Sequence, residues 1–180
     1  MNARTIDNPV TGERATFLET SEETGGARTV VDLEVAPSGG VPKHRHANHD
    51  ERIEVLEGEI EVVIEGKAHL LRAGEHIVIP RGKTHTWRNP SAAPSKFHGS
   101  MNPGHPGFER FLRVLFGLAR DGQVRPNGLP RRLEDLGLLT EWDPSILSGP
   151  LRLLGPVMRW SARRARARGR ADELLQRYEA

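Results

Sequence analysis

Residues 40–58 read GVPKHRHANHDERIEVLEG and contain a His-x-His pair at positions 44 and 46. Residues two apart share a face on a strand, whereas same-face neighbours on a helix are three or four apart, so this pair predicts a strand. Further along, Ile53 and Val55 alternate with charged residues, which is the period of a half-buried strand. Glu51 is in step with Ile53 and Val55, so we expect its carboxylate to point inward.

A second stretch, residues 74–89, reads GEHIVIPRGKTHTWRN. Its β-branched run ends at a Pro-x-Gly turn, and a new strand is predicted to begin at His85. His85 and Trp87 are expected to share one face of that strand. Together the two stretches supply three histidines and one glutamate at spacings that converge on a single metal ion.

The two stretches resemble the paired motifs of the cupin superfamily, which consists of small jelly-roll β-barrels. The matching residues are His44, His46, Glu51 and Gly58 in the first motif and Gly74, Pro80, Gly82, His85 and Asn89 in the second. One departure is Ser38, which stands where the first motif expects a glycine and affects a turn rather than a ligand. The resemblance covers roughly residues 15–102 and implies a mainly β fold, a cupin jelly-roll β-barrel. A C-terminal α-helical extension is predicted separately, from the helical apolar period that follows.

In cupins, the residues that match His44, His46, Glu51 and His85 bind a divalent metal. The chemistry of burial agrees, because an ionised carboxylate buried without a partner is costly and a cation beside it removes that cost. The alternative is a barrel that has lost its metal and keeps these polar residues as a hydrogen-bonded core.

The donor set also restricts the metal. Imidazole suits Fe, Ni, Zn and Cu, and a carboxylate oxygen admits Mn. Four protein donors leave two positions on a six-coordinate ion, which favours Fe, Mn or Ni. Zn, which prefers four ligands, and Cu stay as alternatives. A divalent ion with one carboxylate leaves a net positive charge, so an anionic or enolisable small molecule is the expected substrate.

Other residues near the motifs are candidates for the pocket. Trp87 is predicted either to line a substrate pocket or to pack in the core. His98 follows Phe97 on a predicted strand, where one of the two must face inward, and His98 is a second candidate pocket residue. Glu51 is a candidate catalytic base if it is released from the metal. His49 lies in the turn between the predicted ligands, where we expect it to be exposed, with a spare metal donor as the alternative.

The rest of the chain divides into strands and helices. Further strands are predicted over Ala15–Thr20, Arg28–Ala36 and Ser95–Met101. After residues 102–107 the apolar period becomes helical from Phe108 to Ala119. More helices are predicted over Pro130–Leu139, from Pro150 to about Arg168, and over Ala171–Tyr178. We therefore predict two domains, a cupin β-barrel over residues 1–104 and an α-helical extension over residues 105–180 that packs on the barrel.

The C-terminal region is rich in arginine. From Gly149 onward there are eight basic and three acidic residues, or +5, which leaves −3 for the remainder of the +2 total. Such a surface can attract nucleic acid, acidic lipid or a protein partner, while a solvated helix face is the simpler interpretation. No aromatic residues that favour base stacking alternate with the arginines, so nucleic-acid binding is not favoured.

The composition excludes several classes of chemistry. The chain has no cysteine, which rules out disulfides, thiolate metal sites and a cysteine nucleophile. Its first seven residues lack the apolar core of a signal peptide, and no stretch approaches the roughly 20 apolar residues of a membrane-spanning helix. We expect a cytoplasmic protein.

The leading functional hypothesis is an oxidoreductase of dioxygenase type that acts on a small oxygenated organic molecule, by analogy with enzymes of flavonol-like or diketone-like compounds. One alternative is a non-oxidative isomerase or lyase that uses the same metal. Another is a non-catalytic module that binds a small molecule. A homodimer is expected by analogy, because barrels of this kind often associate through edge strands.

Overall fold

The computed structural model describes residues 3–146 and 153–179. The chain separates into two compact units. One is formed by Thr11–Pro106 and is called the barrel unit here. The other combines Met1–Val10 with Gly107–Ala180 and is called the helical unit. The predicted boundary near residue 104, with the extension packed on the barrel, stays a prediction.

The described residues contain nine β-strands. They are β1 (Thr5–Asn8), β2 (Glu13–Glu19), β3 (Thr29–Val35), β4 (Asp50–Glu57), β5 (Glu59–Ile64), β6 (Lys67–Arg72), β7 (His76–Ile79), β8 (His85–Arg88) and β9 (Ser95–Asn102). The first belongs to the helical unit and the others to the barrel unit. The predicted strands over Ala15–Thr20, Arg28–Ala36 and Ser95–Met101 are confirmed to within one or two residues.

The barrel unit contains two antiparallel sheets. In the larger sheet its strands run in the order β2-β3-β9-β4-β7, and in the smaller sheet in the order β6-β5-β8. The last strand therefore lies between β3 and β4, far from its neighbours in sequence, as the crossing connections of a jelly roll require. The predicted mainly β fold with C-terminal helices is confirmed.

Alternation along β4 and β9 explains which side chains face the interior. On β4, Glu51, Ile53 and Val55 are buried while the residues between them are more exposed. In the register of the two strands, Val55 is opposite Phe97 and Glu51 is opposite Met101. The carboxylate of Glu51 therefore sits on the face that carries the apolar core.

The helical unit contains α1 (Pro106–Arg120), α2 (Leu133–Trp142), a short 3-10 turn (Pro144–Ile146), α3 (Gly155–Ala167) and α4 (Arg170–Tyr178). These helices confirm the predicted helical C-terminal region, although the predicted start at Pro150 lies outside the described residues. Their shared core includes the fully buried Val114, Leu118, Leu138 and Ala162. None of the helices in the described residues is long and apolar enough to cross a lipid bilayer.

Acidic residues of α2 pair with the basic C-terminal region. Four of the six arginines between residues 159 and 170 form ion pairs with this helix: Arg164 and Arg168 with Glu134, Arg166 with Glu141, and Arg170 with Asp135. The side chains of Arg164, Arg166 and Arg168 remain about half exposed, as expected of a solvated helix face, whereas that of Arg170 is 13% exposed. Much of the positive charge that the sequence concentrates here is neutralised inside the helical unit.

Candidate metal centre

Four side chains converge in the barrel unit as the sequence predicts. The potential ligand atoms of His44, His46, Glu51 and His85 all lie within 4.8 Å of one another. Glu51 projects from β4 and His85 from the start of β8. Of the four, His46, Glu51 and His85 are buried, and His44 is half-buried.

The two N-terminal histidines do not lie on a regular strand, so that expectation is wrong. They occupy a loop in which His44 forms an isolated bridge with His85. Each of these two residues donates its backbone N–H to the carbonyl of the other at 2.8 Å. Next to this bridge, the N–H of Gly82 donates to the carbonyl of His46 at 2.6 Å. Isolated bridges therefore join the loop of His44 and His46 to the second motif, whereas further along the two motifs pair as a regular ladder of β4 with β7.

Backbone carbonyls orient two of the imidazole rings. Nδ1 of His44 lies 2.9 Å from the carbonyl oxygen of Pro42, and Nδ1 of His85 lies 3.0 Å from that of Lys83. A proton on each Nδ1 donates to the carbonyl and leaves Nε2 as the coordinating atom, which is how outer partners commonly fix metal-binding histidines.

The carboxylate of Glu51 lies between two imidazoles. Its Oε2 is 2.9 Å from Nε2 of His85 and 3.3 Å from Nε2 of His46. Burial acts to raise the pKa of Glu51, but hydrogen bonds from the two imidazoles outweigh burial and hold that pKa well below its usual range. The carboxylate is therefore ionised at neutral pH and supplies the negative charge that a cation site needs.

The histidines respond differently to this charge. Burial lowers the pKa of His85, yet its hydrogen bond and attraction to Glu51 outweigh burial and raise that pKa above the ordinary value. Burial lowers the pKa of His44 to about 4, against the attraction of Glu51. His44 is thus neutral at physiological pH, whereas a metal ion at Nε2 of His85 would have to displace a proton.

The two predicted pocket residues lie in different places. Trp87 is 5% exposed and shares the inward face of β8 with His85. Its ring packs edge-to-face on Phe97, with centroids 4.9 Å apart. By contrast, His98 alternates with buried neighbours on β9, and its Nδ1 lies 2.8 Å from Oδ1 of Asp32. The structure does not bring His98 to the cluster, because the strand's alternation turns it to the outer face.

A further histidine joins the cluster unexpectedly. His49 is only 2% exposed, so the expectation of an exposed turn residue is wrong. Its ring centroid lies 4.2 Å from that of His46. The signal in the sequence is the spacing, since His49 precedes Glu51 by two residues and so continues the inward face of β4 by one step.

Comparison with known proteins agrees with the fold and the motifs. Residues 31–99 match the family model of the Cupin domain. The structure resembles that of an RmlC-like cupin from Shewanella frigidimarina with a TM-score of 0.50 and 20% sequence identity, over 57% of this chain and 86% of that chain. Residues 31–99, which include all four candidate ligands, therefore belong to the Cupin domain family.

Curated relatives match part of the chain at higher identity. Quercetin 2,3-dioxygenase from Bacillus subtilis is 32% identical over 74 residues, which are 41% of this chain and 22% of the relative. A germin-like protein, subfamily 2 member 2, from Arabidopsis thaliana is 34% identical over 93 residues, covering 49% of this chain and 42% of the relative. The chain therefore spans less than half the length of either relative.

Proposed function

We propose that this chain is a metal-dependent oxidoreductase of dioxygenase type that acts on a small oxygenated organic molecule. His44, His46, Glu51 and His85 would hold one divalent ion, with Fe, Mn or Ni favoured and Zn or Cu as alternatives. The observation that carries the proposal is the convergence of three imidazoles and one ionised carboxylate within 4.8 Å. Such a donor set fits a mononuclear transition-metal site.

When bound, the ion supplies Lewis-acid and redox chemistry at the coordination positions that the protein leaves open. The chain's own residues determine what can enter those positions. Three neutral imidazoles and one carboxylate only partly cancel a divalent charge, so the site attracts an anionic or enolisable oxygen donor.

Glu51 acts first as a ligand in this proposal. Its carboxylate accepts hydrogen bonds from two imidazoles, which hold its pKa low and make it a weak proton acceptor in that position. Glu51 can therefore act as a catalytic base only when it is released from these contacts. Trp87, buried on the same face as His85, would form an apolar wall that excludes water from the reacting groups.

The likeness to a quercetin 2,3-dioxygenase supports oxidative chemistry on a small molecule. This likeness covers less than half of the chain, so the activity and the substrate are proposed here. We also propose a homodimer and a cytoplasmic location. The same four ligands also suit a non-oxidative isomerase or lyase, or a module that binds a small molecule without turnover.

The test uses the full chain, stripped with a chelator and reloaded anaerobically with Fe, Mn, Ni, Zn or Cu. Oxygen uptake is then followed with a panel of flavonols, enols, catechols and β-diketones. We expect substrate-dependent uptake with Fe, Mn or Ni in the wild type and none in H85N. The variant H98N is the matched control, because His98 lies on the outer face, and it should retain uptake.

Three other outcomes contradict the oxygenase proposal. Turnover of the same substrates under argon would indicate an isomerase or lyase. Tight substrate binding without any turnover would indicate a binding module. An absence of uptake with every metal and substrate would leave the oxidative assignment without support.

A further inference from the structure

We propose that His49 is a positioning residue, which holds the ring of His46 in the orientation needed to coordinate the metal. This inference rests on the proposed metal site. It concerns a side chain that lies outside the four-ligand set, at a position between His46 and Glu51.

The three histidine ligands are oriented in two different ways. The rings of His44 and His85 are fixed through Nδ1 by backbone carbonyls at 2.9 and 3.0 Å. His46 lacks this restraint, because its Nδ1 is buried with no hydrogen-bond partner among the described residues. Metal-binding histidines ordinarily use that nitrogen to fix their ring, so the orientation of His46 requires another source.

The ring of His49 provides that restraint by packing. Its centroid lies 4.2 Å from that of His46, and the two planes are tilted by 33°. His49 is 2% exposed and His46 is 8% exposed. In such a closely packed interior a ring has little room to rotate away from its neighbour. The contact therefore limits His46 to rotamers that keep Nε2 near Glu51.

His49 is itself supported from its other side. The ring of His105 meets it edge-to-face, with centroids 5.0 Å apart and planes at 88°. The backbone N–H of His105 donates to Oγ1 of Thr29 at 3.0 Å, and the N–H of Gly104 donates to the carbonyl of Gly26 at 3.0 Å. The loop that follows β9 is thus held next to the start of β3. From this loop, His105 contacts His49, and His49 contacts the ligand His46.

The experiment compares H49A, H49F and wild type in the full chain, with Co(II) as the probe. H49A removes the ring, whereas H49F keeps an aromatic ring and removes both nitrogens. Measured by chelator competition, the Co(II) affinity of H49A should fall by about 10- to 100-fold, the range found when an outer partner of a ligand is removed. The visible spectrum of its bound Co(II) should also change, because His46 no longer has one orientation.

H49F should keep the spectrum and an affinity within a few-fold of wild type. H76A is the matched control, since His76 is an exposed histidine on β7, and it should match wild type in both readouts. Thermal unfolding of each stripped variant separates a loss of fold from a loss of affinity.

Two results would overturn the inference. One is an H49A variant with the affinity and spectrum of wild type. The other is an H49F variant as impaired as H49A while still folded, which would mean that a nitrogen of His49 matters rather than its ring. A wild-type protein that binds no Co(II) would instead refute the proposed metal site itself, and the positioning role with it.

Discussion

Nε2 of His85 lies 2.9 Å from Oε2 of Glu51, on the side of the ring opposite its contact with the Lys83 carbonyl. Both nitrogens of this ring therefore face acceptors, an arrangement that favours the doubly protonated imidazolium. The nitrogen that faces Glu51 is also the one that a metal ion would use. A proton and a divalent ion consequently compete for the same atom.

This competition predicts a pH dependence of metal affinity. Because Glu51 raises the pKa of His85 above its ordinary value, affinity should fall by about tenfold for each unit of pH below that raised pKa, as for the displacement of one proton. His44, with its pKa lowered to about 4, should contribute nothing near neutrality. Calorimetric titration in buffers of different ionisation enthalpy measures the protons released. Affinity that stays constant between about pH 5.5 and 7.5 would contradict the competition.

The lowered pKa of His44 should make the stability of the chelator-treated protein depend on pH. Its pKa is lowered from 6.5 to about 4, so between these values the unfolded chain binds a proton that the folded chain does not. The free energy of unfolding should therefore decrease as the pH falls through this window. His85 affects stability over a different pH range. Because its pKa is raised in the folded protein, its contribution to the free energy of unfolding is complete below pH 6.5 and is lost as the pH rises through the raised pKa.

Urea unfolding of wild type and H44N across this range measures the effect of His44. Asparagine does not titrate here, so the decrease between pH 6.5 and about 4 should be smaller in H44N. Equal slopes in the two proteins would show that His44 is not the group responsible.

The sequence predicts the site better than its surroundings, for physical reasons. The four ligands follow from motif spacing and from the strand period through Glu51, and the structure brings them together. The regular strand expected at His44 and His46 does not form, because a His-x-His spacing indicates extended backbone but says nothing about which neighbours complete a ladder. The exposed position expected for His49 is wrong, and the choice between Phe97 and His98 stayed open, because an alternating pattern gives two faces without saying which one is inward.

The helical unit offers a test of packing that is independent of the metal. A Cβ atom added at Gly117 on α1 would lie 2.2 Å from Cδ1 of Tyr178 on α4. G117A should therefore displace α4 and lower the free energy of unfolding by about 1–3 kcal/mol, as overpacking does. G155A is the control, because the nearest atom there belongs to the flexible Arg159 side chain at 3.3 Å. A G117A variant as stable as wild type in urea unfolding would show that the two helices do not pack this closely.

The arginines of the C-terminal region should differ in their importance. Arg170 forms a two-point ion pair with the fully buried Asp135, at 2.8 and 3.0 Å. R170Q leaves that carboxylate buried without its partner charge and should cost about 3–5 kcal/mol of unfolding free energy. R166Q removes an exposed pair with Glu141 and should cost less than about 1 kcal/mol. Equal losses in denaturant unfolding would contradict this distinction between buried and exposed pairs.

The central claim is that Glu51 and the three histidines hold a divalent metal, and elemental analysis of natively purified protein tests it most directly. E51Q is the informative variant, and E54Q makes the same chemical change on the outward face of β4. Wild type and E54Q should each carry close to one transition-metal ion per chain, whereas E51Q should carry far less because the site has lost its only negative charge. Wild-type protein without bound metal, both as purified and after reloading, or an E51Q variant that keeps a full complement, would contradict the account.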